Sequence, residues 1–408
     1  MSRKIINAET LMMSGYAGMF LSSTIANSPV EICGAFVLTV WILSGRFLPD
    51  TRLWLKSAPA LPVIGMILLP WIGLLYSPSP ADGLSTAARG YYWLYSVPLI
   101  SGLKSQKFPT LCVHLFLAGL FLNSIASFLQ IARLLPLRYG TPSGFLGISS
   151  PWITYTLLLT AGIFVASFYF RQSDSTKGRL VYAFLMLQYF ITIGFVGGRS
   201  GYVAFILLSP LLVYNLTGRK HLLRVIILSS IVVSALFTFP VVQGRFAQVR
   251  KDLVLYSQGN LNTSVGLRLH MWDITFDQIK AHPISGIGTN GFKRIWENNK
   301  EDRSLPFFDH PHNSFLYMLV SFGIPGLVVF CWLLFEMLKT GWRSFDSPVG
   351  FSLFVFTLIF IIGGLTDTQL LVFPTAILFI LFSGFAAASE TADEALSMAH
   401  RKEEKAKG

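Results

Sequence analysis

Charge is scarce in this sequence. Only 13% of its 408 residues are Asp, Glu, Lys or Arg, while 53% are hydrophobic and the mean hydropathy is +0.58. That balance excludes a soluble domain of this length and makes the bilayer the solvent. Cysteine is scarcer still: Cys33, Cys112 and Cys331 each lie in an apolar run, with no CxxC pair and no histidine at ligand spacing. A disulfide framework and a thiolate metal centre are thereby excluded, and all three read as packing residues. There is no HExxH pattern, and Asp309, His310 and His312 are too few to make a metal centre, so none is expected. No small-residue cleavage site follows the first apolar run, so no cleavable signal is expected. The formal charge of +12 is strung between apolar segments without interleaved aromatics, which excludes nucleic acid as a partner. Gly286, Gly288 and Gly291 match GxGxxG, but no strand precedes them and no crossover unit surrounds them, so no nucleotide cofactor is expected.

What the sequence has in abundance is apolar runs. A membrane span needs about 20 apolar residues, and such runs lie near 10–27, 29–45, 58–76, 84–103, 109–132 and 150–170. Others lie near 180–197, 201–217, 222–240, 313–338, 348–364 and 368–388. The run at 84–103 is diluted by Arg89 and several small polar residues. The expected fold class is an all-α membrane protein with about 12 transmembrane helices. Helices 1 to 9 fall in 1–240, a loop subdomain in 241–311, helices 10 to 12 in 312–388, and a charged tail in 389–408.

Basic residues set the orientation, because short cytoplasmic loops collect Lys and Arg. One side gathers Arg3, Lys4, Arg46, Arg52, Lys56, Lys104, Lys107, Arg171, Lys177, Arg179, Arg219, Lys220, Arg224, Lys339, Arg343, Arg401, Lys402, Lys405 and Lys407. The short loops of the other side hold Arg133, Arg138 and Arg199. Both termini are therefore expected in the cytoplasm, with 241–311 outside. Within that segment Leu269, Trp272, Phe276 and Ile279 recur as the stripe of an amphipathic helix that stops before Pro283 and lies along the membrane surface or caps the bundle.

Ionisable residues at a membrane boundary are candidates for function, because they are costly to desolvate. Arg199 sits in Gly197-Gly198-Arg199-Ser200-Gly201, where tight turns and the N–H groups of a following helix favour an anion; the alternative is an arginine that snorkels to lipid headgroups. Pro311 places His312 in the first turn of the tenth span, where the positive helix end favours a neutral ring able to accept a proton; an interfacial structural histidine is the other reading. Arg268 begins the amphipathic helix one turn before Trp272, as an anion ligand or a solvated charge. His270 and His282 read as ordinary loop residues. The orientation puts Arg199, Arg268 and His312 on one face although they come from three distant stretches. Arginine forks bind phosphate oxygens and a histidine takes a proton from a hydroxyl, so the expected chemistry is attack on a carbon whose leaving group is a diphosphate.

These residues resemble a known family. His312-Asn313, nine residues, Gly323, two residues and Gly326 resembles the histidine signature of bacterial O-antigen ligases without departure. Gly198-Arg199-Ser200 and the Arg-x-x-x-Trp of 268–272 look like the two arginine motifs of the wider ligase and polymerase superfamily. The resemblance implies an architecture like that of GT-C-type glycosyltransferases and transfer of a finished O-antigen from undecaprenyl diphosphate to a sugar hydroxyl of lipid A-core. It implies the periplasmic face of the inner membrane, no cofactor, no metal, and inversion at the anomeric carbon. Arg199 and Arg268 would hold the diphosphate and His312 would activate the acceptor, with Trp272, His310 and Asn313 as substrate-binding neighbours. The arginine motifs are shared with O-antigen polymerases and with oligosaccharyltransferases that glycosylate pilin, and the short tail favours a ligase over the latter. A transporter or flippase is the rival outside enzymes, but no internal repeat is apparent and the singled-out residues lie at one face.

Overall fold

A computed structural model describes residues 8–102, 107–137, 147–148, 151–217, 222–300 and 305–407. Among these residues the chain is helical throughout, with no strand. The first half runs α1 (Ala8–Ser22), α2 (Asn27–Leu43), α3 (Phe47–Trp54), α4 (Ala60–Leu74), α5 (Pro80–Ala88), a 3₁₀ helix (Arg89–Ser96), α6 (Leu99–Gly102), α7 (Lys107–Ile131) and α8 (Trp152–Gln172). It continues with α9 (Thr176–Phe195), α10 (Arg199–Thr217), α11 (Leu222–Leu236), α12 (Pro240–Ser257), α13 (Ser264–Ala281), α14 (Gly291–Asn299), α15 (Ser314–Arg343), α16 (Pro348–Gly364) and α17 (Phe373–Lys407). Of the basic residues that set orientation, Arg3, Lys4, Lys104, Arg138, Arg219 and Lys220 lie outside the described residues.

The protein is a multi-pass membrane protein, and among the described residues the expected count of twelve spans is not confirmed. Six helices among the described residues are long and apolar enough to cross, and up to eight if each of two bent pairs counts as one span. α2 and α3 meet at 106°, and α11 and α12 at 89°. α4 and α16 are apolar but have 15 and 17 residues, short of the ~20 that a hydrocarbon core requires. The expected span at 84–103 is broken into α5, the 3₁₀ helix and α6. Its polar dilution carries through to the structure, for Arg89 opens the 3₁₀ piece.

α8 is the centre of the bundle. It is buried without a break from Thr154 to Tyr169 and packs against α7, α9, α10 and α16. A helix that is apolar on every side is stable only in such surroundings. α11, by contrast, leaves Leu222, Leu223, Ile226 and Ile231 exposed, as a lipid-facing helix should. Of the cysteines, Cys112 is buried and Cys33 packs on Gly18, but Cys331 is exposed on α15.

The loop subdomain has a small core of its own. Met271, Ile274, Ile287, Phe292 and Trp296 pack together from α13, the following loop and α14, and reach Val320 on α15. The expected amphipathic helix is α13, with its buried face turned slightly from the predicted stripe: His270, Met271 and Ile274 are buried, while Phe276 is 47% exposed. His270 is thus a core residue, edge-on to Trp296, rather than a loop residue. Gly286 and Gly288 take positive φ so that the loop after α13 can be pressed between α4 and α15. There Ile287 and Gly288 donate to the carbonyls of Val320 and Ser321, and Thr289 donates to that of Gly73.

Candidate active site

α10 begins at Arg199, and its position is fixed by the glycines around it. A Cβ on Gly198 would lie 2.1 Å from Thr156 Oγ1, and one on Gly201 would lie 2.3 Å from Thr156 Cβ. Only bare backbone lets α10 approach α8 this closely, and Thr156 and Thr160 donate hydrogen bonds to the carbonyls of Gly198 and Gly201. The Arg199 side chain then reaches Asp252 on α12, 3.7 Å away, with the carboxylate 1% exposed. Asp252 also accepts from Gln248 and from the backbone N–H of Val265, which ties α12 to the start of α13.

Arg268 folds back over that start. Its Nη1 donates to the carbonyl and the hydroxyl of Ser264, at 2.8 and 2.7 Å. Its Nε is buried without a hydrogen-bond partner among the described residues. Burial lowers the pKa of this guanidinium; Asp367 opposes that, Arg245 adds to it, and Asp252 opposes it again. A buried cation with a free donor favours an anionic ligand.

His312 departs from expectation. It is not in the first turn of a helix: its φ is +50°, and α15 starts at Ser314 with Asn313 as N-cap. The Asn313 side chain accepts from the N–H groups of Phe315 and Leu316 and donates to the Leu365 carbonyl. An asparagine cap satisfies the first free donors of a helix, and this outweighs the preference of Pro311 for a first helical position. His312 is instead oriented by a carboxylate. Its Nδ1 lies 2.8 Å from Asp367 Oδ1, on the turn between α16 and α17. Burial raises the Asp367 pKa, but the hydrogen bond from His312, the charges of His312 and His310, and the Thr368 N–H together bring it below its ordinary value. An ionised Asp367 that accepts a hydrogen bond from Nδ1–H selects the tautomer in which Nε2 is the nitrogen without a proton.

One cavity of about 700 Å³ joins these parts, with Arg199, Arg245, Arg268, Trp272 and His312 in its wall. Among the described residues no carboxylate lines it. Arg245 was not singled out in the sequence; it donates from Nε to the Gly197 carbonyl at 2.7 Å and lies over the Trp152 ring. Trp272 donates from Nε1 to the Pro311 carbonyl at 2.9 Å, so the helix that carries Arg268 also pins the loop that carries His312. Asn313 and His310, expected as substrate contacts, do not line the cavity. Asn313 is a cap, and His310 stands behind His312, accepting its backbone N–H at 3.3 Å.

His310, His312 and Asp367 place one ligand atom each within 4.8 Å of one another. Asp309, the acid expected beside the histidines, is instead half-exposed at 3.6 Å from His310. A cation held by the trio would have to displace the His312–Asp367 hydrogen bond. The signature glycines belong to this construction too. Gly323 has a φ of +64° at a kink in α15, and a Cβ there would lie 2.0 Å from the Ile284 carbonyl oxygen. The backbone N–H of Ile324 donates to the Pro283 carbonyl at the same place.

Residues 181–331 match the protein family described as O-antigen ligase. That segment contains Arg199, Arg245, Arg268, His312 and Gly323, whereas Asp367 lies beyond it. An uncharacterised protein of Haemophilus influenzae is 24% identical over 185 residues, which is 43% of this chain and 45% of the relative. A Rickettsia felis protein provisionally named a polysaccharide ligase is 34% identical over 82 residues, 19% of this chain and 20% of the relative. The chain thus spans less than half the length of these curated relatives.

Proposed function

We propose that this protein joins an O-antigen glycan, carried on undecaprenyl diphosphate, to a sugar hydroxyl of lipid A-core at the periplasmic face of the inner membrane. The observation that carries the reading is that a carboxylate-oriented histidine and three arginines line one cavity. Arg199 and Arg268, with Arg245 beside them, hold the diphosphate by charge-assisted hydrogen bonds. His312 Nε2 takes the proton of the acceptor hydroxyl while that oxygen forms its bond to the anomeric carbon. The bond from that carbon to the diphosphate oxygen breaks, and its electron pair leaves with the diphosphate. Attack from the side opposite the leaving group inverts the configuration.

Asp367 takes no proton in this scheme. It fixes the tautomer of His312 and stabilises the imidazolium as it forms, as a buried aspartate does for a catalytic histidine elsewhere. Guanidinium groups aimed at the leaving phosphate gain most when its charge grows, so they stabilise the transition state over the ground state. The donor's own leaving group drives the transfer, so neither nucleotide nor metal is required.

The test is to incubate purified protein with lipid-linked O-antigen and lipid A-core, without nucleotide or metal, and to resolve the products by gel. Joined lipopolysaccharide supports the reading. Lengthening of the glycan on its own carrier would make the protein an O-antigen polymerase, and no product with either acceptor would overturn the proposal.

A further inference from the structure

Arg245 and Asp252 lie seven residues apart on α12, two turns along one face of the helix. Both meet the start of α10. Arg245 donates to the Gly197 carbonyl at 2.7 Å, and the Asp252 carboxylate stands 3.7 Å from the Arg199 guanidinium. One helix thus holds both the backbone before Arg199 and the tip of its side chain. Asp252 Oδ2 also accepts from the Val265 N–H at 3.4 Å, at the opening of α13, the helix that carries Arg268. Its charge acts on Arg268 as well as on Arg199. Asp252 is therefore the point where the three arginine-bearing helices meet, and it stands behind the cavity wall rather than in it.

The three arginines are anchored unequally. Arg245 rests on a carbonyl and Arg268 on the carbonyl and hydroxyl of Ser264, all neutral acceptors, whereas Arg199 is held by a carboxylate. A carboxylate that is 1% exposed is costly to desolvate, so its charge needs a reason. Its other contacts do not supply one. The Gln248 amide could turn to accept from an asparagine NH₂, and the asparagine oxygen would still take the Val265 N–H. Arg199 alone calls for the charge. An arginine side chain on a cavity wall loses rotamer freedom when it grips a ligand, and an ion pair behind it removes that freedom beforehand. The rest of the fork is left for a ligand in the cavity that Arg199 lines.

We infer that Asp252 is a positioning residue for the donor, one that presets the Arg199 guanidinium for the diphosphate without touching it. The inference rests on the proposed diphosphate-linked donor. A carboxylate behind the wall also subtracts one charge from a cavity that attracts an anion, so the two effects differ in sign. If charge alone mattered, removing it would tighten diphosphate binding; if positioning dominates, removing it weakens binding.

Undecaprenyl diphosphate without glycan, titrated into the full-length protein in detergent, is the probe. Asp252→Asn should weaken its binding about tenfold or more, the usual consequence of losing one charge-assisted hydrogen bond to a ligand. Asp252→Glu keeps the charge and displaces it by one methylene, so its loss should be smaller. In an Arg199→Ala background either change should alter binding less than twofold, because the two residues act as a unit. In the transfer assay Asp252→Asn should lower kcat/KM for the donor by a similar factor and leave the acceptor KM within twofold of wild type. Thermal melts identify a variant that fails to fold, and if Asp252→Asn does so the same comparison with Asp252→Glu decides. Unchanged or tighter binding in a folded variant would overturn the inference. So would a tenfold loss that persists with Arg199→Ala, which would make Asp252 a tie between α12 and α13 and nothing more. If undecaprenyl diphosphate fails to bind the wild-type protein, the donor reading falls and the inference with it. If its binding depends on Asp252 through Arg199 while no joined product forms, the transfer reading fails and the positioning role stands.

Discussion

Asp367→Asn isolates the step that distinguishes a catalytic histidine from a structural one. Asp367 Oδ1 lies 2.8 Å from His312 Nδ1, with the carboxylate 10% exposed, so water cannot readily replace the lost charge. Exchanging an ionic for a neutral acceptor removes a bond worth about 1.5–3 kcal/mol, or roughly 10- to 150-fold in rate at 1.36 kcal/mol per decade. The amide can also turn its NH₂ toward Nδ1, which moves the ring proton to Nε2 and blocks the base; an equivalent tautomer error in a serine protease triad reaches about 10⁴-fold. The expected result is a fall in kcat of ~10²–10⁴-fold with donor KM unchanged, because no contact to the diphosphate is removed. His312→Ala sets the comparison, with a loss on the order of 10²-fold or more and donor binding retained. Transfer is read by gel and donor binding by thermal shift on the same preparations. A kcat within threefold of wild type for Asp367→Asn in a folded protein would refute the dyad, and loss of donor binding would give Asp367 a role in the arginine cavity instead.

The remaining expectations concern the clamp, metal, pH and sidedness. Arg199→Lys keeps the charge but loses the fork beside Asp252, so transfer should still fall by more than about tenfold; near-normal rates would remove Arg199 from phosphate binding. Exhaustive chelation should leave transfer intact, and loss on EDTA with rescue by Mg²⁺ or Mn²⁺ would replace the clamp by a metal bridge, with His310, His312 and Asp367 as the first ligands to test. Burial lowers the pKa of His310 from its ordinary 6.5, and the neighbouring His312 adds to the effect. The unfolded chain therefore takes up a proton below pH 6.5 that the folded chain refuses, so His310→Gln should flatten the loss of Tm from pH 6.5 to 5; an unchanged slope would contradict the lowered pKa. Single cysteines at Ser175 and Gln258, in a protein with Cys33, Cys112 and Cys331 replaced, should label from opposite sides of intact spheroplasts, and labelling of both from outside would break the orientation.

The membrane character of the chain was legible because apolar content and basic-loop spacing are averages over many residues. The span count was less legible, because a hydropathy window sees composition but not helix length: the apolar helices α4 and α16 stop at 15 and 17 residues. The expected runs at 29–45 and 222–240 stop at the 106° bend before Phe47 and the 89° bend before Pro240, where Gly45 with positive φ and the proline itself mark both places. The run at 84–103 shows the same limit from the other side. Arg89 was visible as a polar intrusion, but only tertiary packing turns that intrusion into a 3₁₀ helix lining a cavity.

The site divides along similar lines. Arg199, Arg268 and His312 stand out in the sequence because charge beside apolar runs is rare, and a local motif surrounds each of them. Asp367 has no such motif, and its partner lies 55 residues away. One signal was available: Asp367 is the sole acidic residue between Asp346 and Glu390, a stretch of spans in which a carboxylate needs a partner. Arg245 had no comparable signal, being one of nine basic residues in the 241–311 loop. Only the folding of α12 beneath α10 brings its Nε to the Gly197 carbonyl. The misplaced helix start is the most instructive case. Pro311 and Asn313 both carry helix-start preferences, and they compete for one boundary. The side chain of Asn313 satisfies two N–H groups of α15, whereas Pro311 at the first position would merely have removed one, so the cap prevails. His312 is thereby left outside the helix at positive φ, with its ring turned to Asp367 rather than stacked on a helical turn.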